Sequence, residues 1–202
     1  MSLTILFVCT GNVCRSPMAE YLLRSRADAG ADLRVASAGI AALVGDPVDA
    51  GSASALAELG IDSSPHRARQ FDPWEAGDAD LVLTAEVAHR EAVMGEVPGA
   101  LRRTFTMKEF ARLLPHVGRG RPAELIDRAA QIRGMYGAVP RALDDVADPY
   151  RAGPARAQAT LGEIATALEP LLATFELEGP AAQPRLRPSP GPRRPLPKGS
   201  PA

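Results

Sequence analysis

Residues Val8 to Glu20 read VCTGNVCRSPMAE, and no other stretch constrains the chain as tightly. An apolar, β-branched run, Leu3 to Val8, precedes it, and an amphipathic pattern with Met18, Tyr21 and Leu22 follows. The order is therefore strand, tight loop, helix. Ser16 suits the N-cap of that helix and Pro17 its first position, where no N–H is needed. Such a loop turns several backbone N–H groups inward, and the helix dipole adds partial positive charge. The predicted ligand is a phosphate dianion, bound by the loop Thr10, Gly11, Asn12, Val13, Cys14 and Ser16. A thiol at the loop's centre is expected to lose its proton more easily than a free one, which makes Cys9 a nucleophile. Arg15 offers a planar fork for two phosphoryl oxygens. Gly11 permits a turn that a side chain would obstruct, and Asn12 tolerates a left-handed backbone. Ser16 lies near enough to donate to the Cys9 sulfur. The glycine-lysine pair of a nucleotide-binding loop is missing, so ATP and GTP are not the expected ligands.

The rest of the chain alternates between strand and helix patterns. Strands are predicted at 3–8, 33–37, 81–84 and 102–105. Helices are predicted at 17–28, 48–59, 86–94, 107–114, 122–133 and 154–175. Asp72 and Thr106 each stand three residues before a glutamate, a helix-start pattern, while Gly30 and Gly60 read as helix stops. Pro170 should kink or split the last helix. This alternation implies an α/β fold, a four-stranded parallel sheet with helices on both faces and ligands at the carboxyl ends of the strands. Cys9 ends the first strand, where that rule places chemistry.

A length of 202 residues suits one domain and a tail. From Gly179 onward there are eight prolines, five basic residues and no acidic one, so the preceding body has a formal charge of −6 and the tail +5. The expected organisation is a domain over 1–178 and a disordered Pro/Arg-rich tail over 179–202. No apolar run approaches the about 20 residues of a membrane helix, and the N-terminus lacks a cleavable signal pattern. The two cysteines share one loop, which is no secreted disulfide framework. His66, His89 and His116 are far apart and form no metal-ligand pattern. A cytoplasmic enzyme without metal or cofactor is the expectation, with neither nucleic acid nor membrane as partner.

On CTGNVCRSP the chain resembles the low-molecular-weight protein tyrosine phosphatases. Further matches are Ser37-Ala38-Gly39, Leu59-Gly60-Ile61, His66 to Gln70, Asp80 to Thr84 and Asp148-Pro149-Tyr150, so the likeness runs over about residues 2 to 175. It implies a phosphotyrosine protein substrate, a cysteinyl-phosphate on Cys9, and Asp148 as general acid for the leaving phenolate. By the same resemblance Ser37 and His66 support the phosphate loop, and Tyr150 walls the substrate cleft. Asp144 and Asp145 remain rivals in the same loop. The chain departs from the family at Ala85-Glu86, where Met-Asp is common. It also carries extra helical sequence, an insert at about 107–140 rich in arginine (Arg112, Arg119, Arg121, Arg128, Arg133), which either covers the cleft, binds a partner or packs as another layer. A threonine at the Val13 position is associated with phosphoarginine, and a bulkier aliphatic with phosphotyrosine. Valine has the shape of threonine without its hydroxyl, so a protein-arginine phosphatase is the alternative. An arsenate reductase would need cysteines beyond Cys14, and there are none. A binding module without turnover would have no use for an acid.

Overall fold

β1 (Leu3–Cys9), β2 (Leu33–Gly39), β3 (Leu81–Thr84) and β4 (Thr104–Thr106) form one sheet in the order β2-β1-β3-β4, with every pairing parallel. The protein is seen in a computed structural model that describes residues 2–136 and 139–177. The helices are α1 (Arg15–Arg26), α2 (Ala50–Glu58), α3 (Pro73–Asp78), α4 (Val87–Glu96), α5 (Met107–Leu113), α6 (Pro122–Ile132), α7 (Arg141–Asp144) and α8 (Pro154–Thr174).

Side chains alternate along a strand, so β1 feeds two cores. Ile5 and Phe7 join Met18, Leu56, Phe110 and Ile164 from α1, α2, α5 and α8 on one face. Leu6 and Val8 join Phe71, Ala76 and Val93, with α3 and α4 on the other. Burial on both faces explains why β1 reads as one continuous apolar run. In α8 the residues Leu161, Ile164, Leu168, Leu171 and Leu172 recur at helical spacing and are all buried.

Several expectations shift. α1 begins at Arg15, with Cys14 at the N-cap position, so Ser16 lies inside the first turn and its hydroxyl is used elsewhere. α1 stops at Arg26, and Gly30 belongs to the next turn, where its N–H donates to Asp28 Oδ1; Gly60, at φ +75°, does stop α2's end. β4 starts two residues late because a 3-10 turn, Pro98–Arg103, takes Arg102 and Arg103. Arg103 is held there by donating to Gly77 O at 2.7 Å. Pro170 lies within α8 without ending it. The one carbonyl it leaves without a helical donor belongs to exposed Thr166, where water can serve it. The Thr106–Glu109 capping box forms at α5, whereas at α3 Asp72 caps alone and Glu75 pairs with Arg69.

The segment expected to be an insert packs, over its described residues, as a helical layer. Met107, Phe110 and Leu113 of α5 and Leu125, Ile126 and Ala129 of α6 enter the core shared with α8. Its arginines hold the chain together: Arg112 pairs with Asp144, Arg121 with Glu124, and Arg128 donates to Val117 O. Arg133 lies 4.0 Å over the Phe105 ring. The expected tail at 179–202 lies outside the described residues.

Gly39 marks where β2 passes closest to the loop after β1. A Cβ there would lie 2.4 Å from Thr10 O and 2.9 Å from Asn12 N, both backbone atoms. Gly39→Ala should therefore cost about 2–3 kcal/mol of stability through overpacking and lower kcat by displacing the loop. Urea unfolding and initial rates would check this; an unchanged midpoint would show that the loop yields freely.

Candidate active site

The loop after β1 is shaped by its carbonyls. Ile40 N donates to Cys9 O, Ala41 N to Thr10 O and Leu43 N to Gly11 O, each at 3.0 Å, and Asp49 N to Val13 O at 2.8 Å. His66 Nε2 donates to Asn12 O at 2.8 Å, a carbonyl partner that fixes this nitrogen as the protonated one. These carbonyls are thus drawn outward onto the segment after β2. In a trans peptide the N–H points opposite to the C=O, and no cis bond occurs among the described residues. The N–H groups of residues 11 to 14 consequently face the inside of the loop, a cradle for an anion.

Asn12 makes the curl possible. It holds φ +55° and is fully buried. Its Nδ2 donates to Ser37 Oγ at 2.8 Å and to Ser16 Oγ at 3.0 Å, and its Oδ1 accepts from Arg69 N at 2.9 Å. Ser37 and His66 both lie against the loop through Asn12. His66 is buried, not a surface histidine, and its ring meets Tyr21 edge-on at 6.0 Å.

Cys9 Sγ lies 2.9 Å from Ser16 Oγ. Cys14 is the other free thiol: burial pushes it up to about 12, against the opposing effect of the neighbouring Ser52 hydroxyl. Cys14 is therefore a protonated, packed side chain at neutral pH.

Arg15 is almost fully buried, and its guanidinium is surrounded. Nη1 pairs with Glu86 and donates to Val146 O at 3.2 Å. Nη2 lies 3.2 Å from Asp148 Oδ2 and donates to Thr10 Oγ1 at 3.4 Å. Nε is buried with no protein partner among the described residues. Glu86, the departure from the family's Met-Asp, is thus a direct neighbour of the loop arginine.

The aspartates separate cleanly. Asp144 is buried and paired with Arg112. Asp145 Oδ1 accepts from Val87 N at 2.7 Å, tying the start of α4. Asp148 alone is exposed and reaches Arg15, and its Oδ1 accepts from Tyr150 N at 3.2 Å. Tyr150 is 38% exposed, with the Arg151 guanidinium 5.0 Å from its ring. Thr160 Oγ1 donates to Ala147 O and Val146 N to Ala85 O, which fix the segment leading to Asp148.

One neighbour escaped the sequence reading. His89, on the first turn of α4, is buried with Nε2 2.8 Å from Thr10 Oγ1. The signal for it was its place just beyond β3, at the sheet end that carries the loop. Among the described residues no cluster of His, Cys, Asp or Glu could hold a metal, and no helix is long and apolar enough to cross a membrane.

A cysteine and an arginine in an N–H-lined loop, at the carboxyl end of a parallel strand, define a cysteine-dependent phosphatase. The family model for low molecular weight phosphotyrosine protein phosphatase matches residues 4–120, and the chain belongs to that family. The probable low molecular weight protein-tyrosine-phosphatase EpsP of Ralstonia nicotianae is 40% identical over 107 residues, covering 53% of this chain and 72% of that protein. A protein-arginine-phosphatase of Geobacillus stearothermophilus is 37% identical over 110 residues, 54% of this chain and 72% of its own. Among solved structures, the low molecular weight protein tyrosine phosphatase from T. tengcongensis superposes with a TM-score of 0.64 at 30% identity, covering 85% of this chain and 99% of that one. The YwlE arginine phosphatase from Geobacillus stearothermophilus gives 0.66 at 29% identity, covering 86% and 93%.

Asn12→Ala removes the side chain that ties β2, α1 and the Arg69 segment, and it leaves a strained φ behind. It should cost about 3 kcal/mol and lower kcat/KM about a hundredfold, because the loop loses its set position. Stability curves and steady-state rates would check this. Full activity would show that the carbonyl contacts suffice.

Proposed function

We propose that the chain hydrolyses phosphotyrosine on proteins through a cysteinyl-phosphate formed on Cys9. The observation that carries this reading is the convergence of Cys9, Arg15 and Asp148 on one N–H-lined loop, with Asp148 3.2 Å from Arg15. The phosphoryl oxygens take the inward N–H groups and the Nε of Arg15, which has no partner among the described residues. The Cys9 sulfur attacks phosphorus, the P–O bond to the tyrosine breaks, and Asp148 gives its proton to the departing phenolate. Asp148, now ionised, takes a proton from the water that attacks phosphorus. The P–S bond breaks, inorganic phosphate leaves, and the Ser16 hydroxyl steadies the returning thiolate.

Phosphotyrosine is favoured by the apolar rim. Val13 Cγ2 and Leu43 Cγ both adjoin Gly11, at 3.5 and 3.7 Å from where a Cβ would stand on it, and Leu43 and Val44 are exposed beside the loop. Tyr150, two residues from the acid, supplies an aromatic face for the substrate ring. The second reading, a protein-arginine phosphatase, is favoured by the threonine-like shape of Val13 and by the arginine phosphatase among the relatives. We assign the reaction to a domain over residues 1–178, with 179–202 as an appended tail. A cysteine nucleophile works only where thiols stay reduced, which supports a cytoplasmic location.

Cys9→Ser should abolish turnover yet still bind vanadate, since the cradle and Arg15 remain. Asp148→Asn should lower kcat by about two to four orders of magnitude on poor leaving groups and less on nitrophenyl phosphate. A larger loss in Asp144→Asn or Asp145→Asn, with the fold intact, would reassign the acid.

Initial rates on phosphotyrosine and phosphoarginine peptides should favour phosphotyrosine, and Val13→Thr should move the ratio toward phosphoarginine. A wild type faster on phosphoarginine would replace the first reading with the second.

A further inference from the structure

We propose that His89 is a positioning residue of the phosphatase reaction, acting through the Thr10 hydroxyl to fix the Arg15 guanidinium. The proposal rests on the phosphatase reading above. Its geometry is a chain of contacts: His89 Nε2 lies 2.8 Å from Thr10 Oγ1, and that oxygen also accepts from Arg15 Nη2 at 3.4 Å. A hydroxyl has one hydrogen and two lone pairs, so it can serve both neighbours at once.

Packing alone does not account for an imidazole here. His89 is 2% exposed, and its Nδ1 is buried without a partner among the described residues. Burying an unmatched polar atom is unfavourable, and an aliphatic side chain would fill the space without that cost. What the imidazole adds is the bond to Thr10. Its charge state fits the task. Burial pushes the His89 pKa down and Arg15 acts in the same direction, against the opposing pull of Glu86, Asp145 and Asp148. The ring is neutral at pH 7, so it holds Thr10 without setting a second cation beside Arg15.

The anchor matters most during reaction. At rest Nη1 is held by Glu86 and Val146 O, and Nη2 by Asp148 and Thr10. When Asp148 turns to the leaving group, Nη2 loses its carboxylate, and Thr10 is the protein contact left to it. The loss of that anchor should appear in kcat more than in KM.

The test is a double-mutant cycle in the full chain, with His89→Ala, Thr10→Val and both together, assayed on a phosphotyrosine peptide. Melting temperatures are followed alongside. Each single substitution should lower kcat about tenfold, as for a hydrogen bond to a charged network, with KM within about threefold. The double variant should lose no more than the singles. His89→Gln, whose amide nitrogen can reach Thr10, should regain most of the loss in kcat, whereas under a merely structural role kcat would follow the melting temperature instead of the restored bond. In the Thr10→Val background, exchanging His89 for Gln should change nothing, which keeps the test decisive if His89→Ala fails to fold. Losses that multiply, a folded His89→Ala with wild-type kcat, or a His89→Gln no better than His89→Ala would each overturn the proposal. A wild type inactive on every phosphomonoester would remove the phosphatase reading and this proposal with it. An active wild type with unaffected variants removes this proposal alone.

Discussion

The site depends on the pinning of the loop carbonyls from Cys9 to Val13 onto the chain that follows β2. A peptide loop has as many carbonyls as N–H groups, and an anion cradle forms only if the carbonyls are turned away. Here Ile40, Ala41, Leu43, Asp49 and His66 take one carbonyl each. The N–H groups are left facing inward because the trans peptide allows no other direction. Asn12 locks the curl from inside with its left-handed φ and its bonds to Ser37, Ser16 and Arg69. Gly39 is the counterpart on β2, since any side chain there would meet the loop backbone. Rigidity of this kind is what lets a cradle bind without reorganising.

The second half of the site is held by different means. The segment carrying Asp148 has no regular structure over Asp145 to Pro149, yet most of its polar groups have partners. Asp144 meets Arg112, Asp145 ties the start of α4, Lys108 donates to Asp145 O, and Val146 bridges Ala85 and Arg15. Two of these partners, Lys108 and Arg112, lie on α5. α5 therefore does more than fill the core: it anchors the loop that brings Asp148 to Arg15. Asp148 itself stays exposed while its Oδ2 lies 3.2 Å from Arg15 Nη2.

Much of this was legible in order along the chain. The apolar run into CTGNVCRSP announces strand, loop and helix, and the periodic leucines of α8 announce a buried face. Errors cluster where tertiary contacts outrank local preference. Arg102 and Arg103 look like strand, but Arg103 is drawn to the carbonyl of Gly77. Ser16 has the chemistry of a cap, yet its hydroxyl is claimed by Cys9 and Asn12. Pro170 is tolerated because the carbonyl it leaves belongs to an exposed residue.

By itself the sequence determined Cys9, Arg15 and the loop between them as one local unit, because these lie within seven residues and their arrangement is set by local backbone geometry. It also determined the parallel α/β order, through hydrophobic period. Only the tertiary structure decided that Asp148 and Glu86 both meet Arg15, and that His89 stands beside the loop. Those residues come from the start of α4 and from the irregular segment before α8, and no spacing rule connects either with the loop after β1. They meet because parallel strands carry their carboxyl ends to one edge of the sheet, where side chains remote in sequence share a single buried charge.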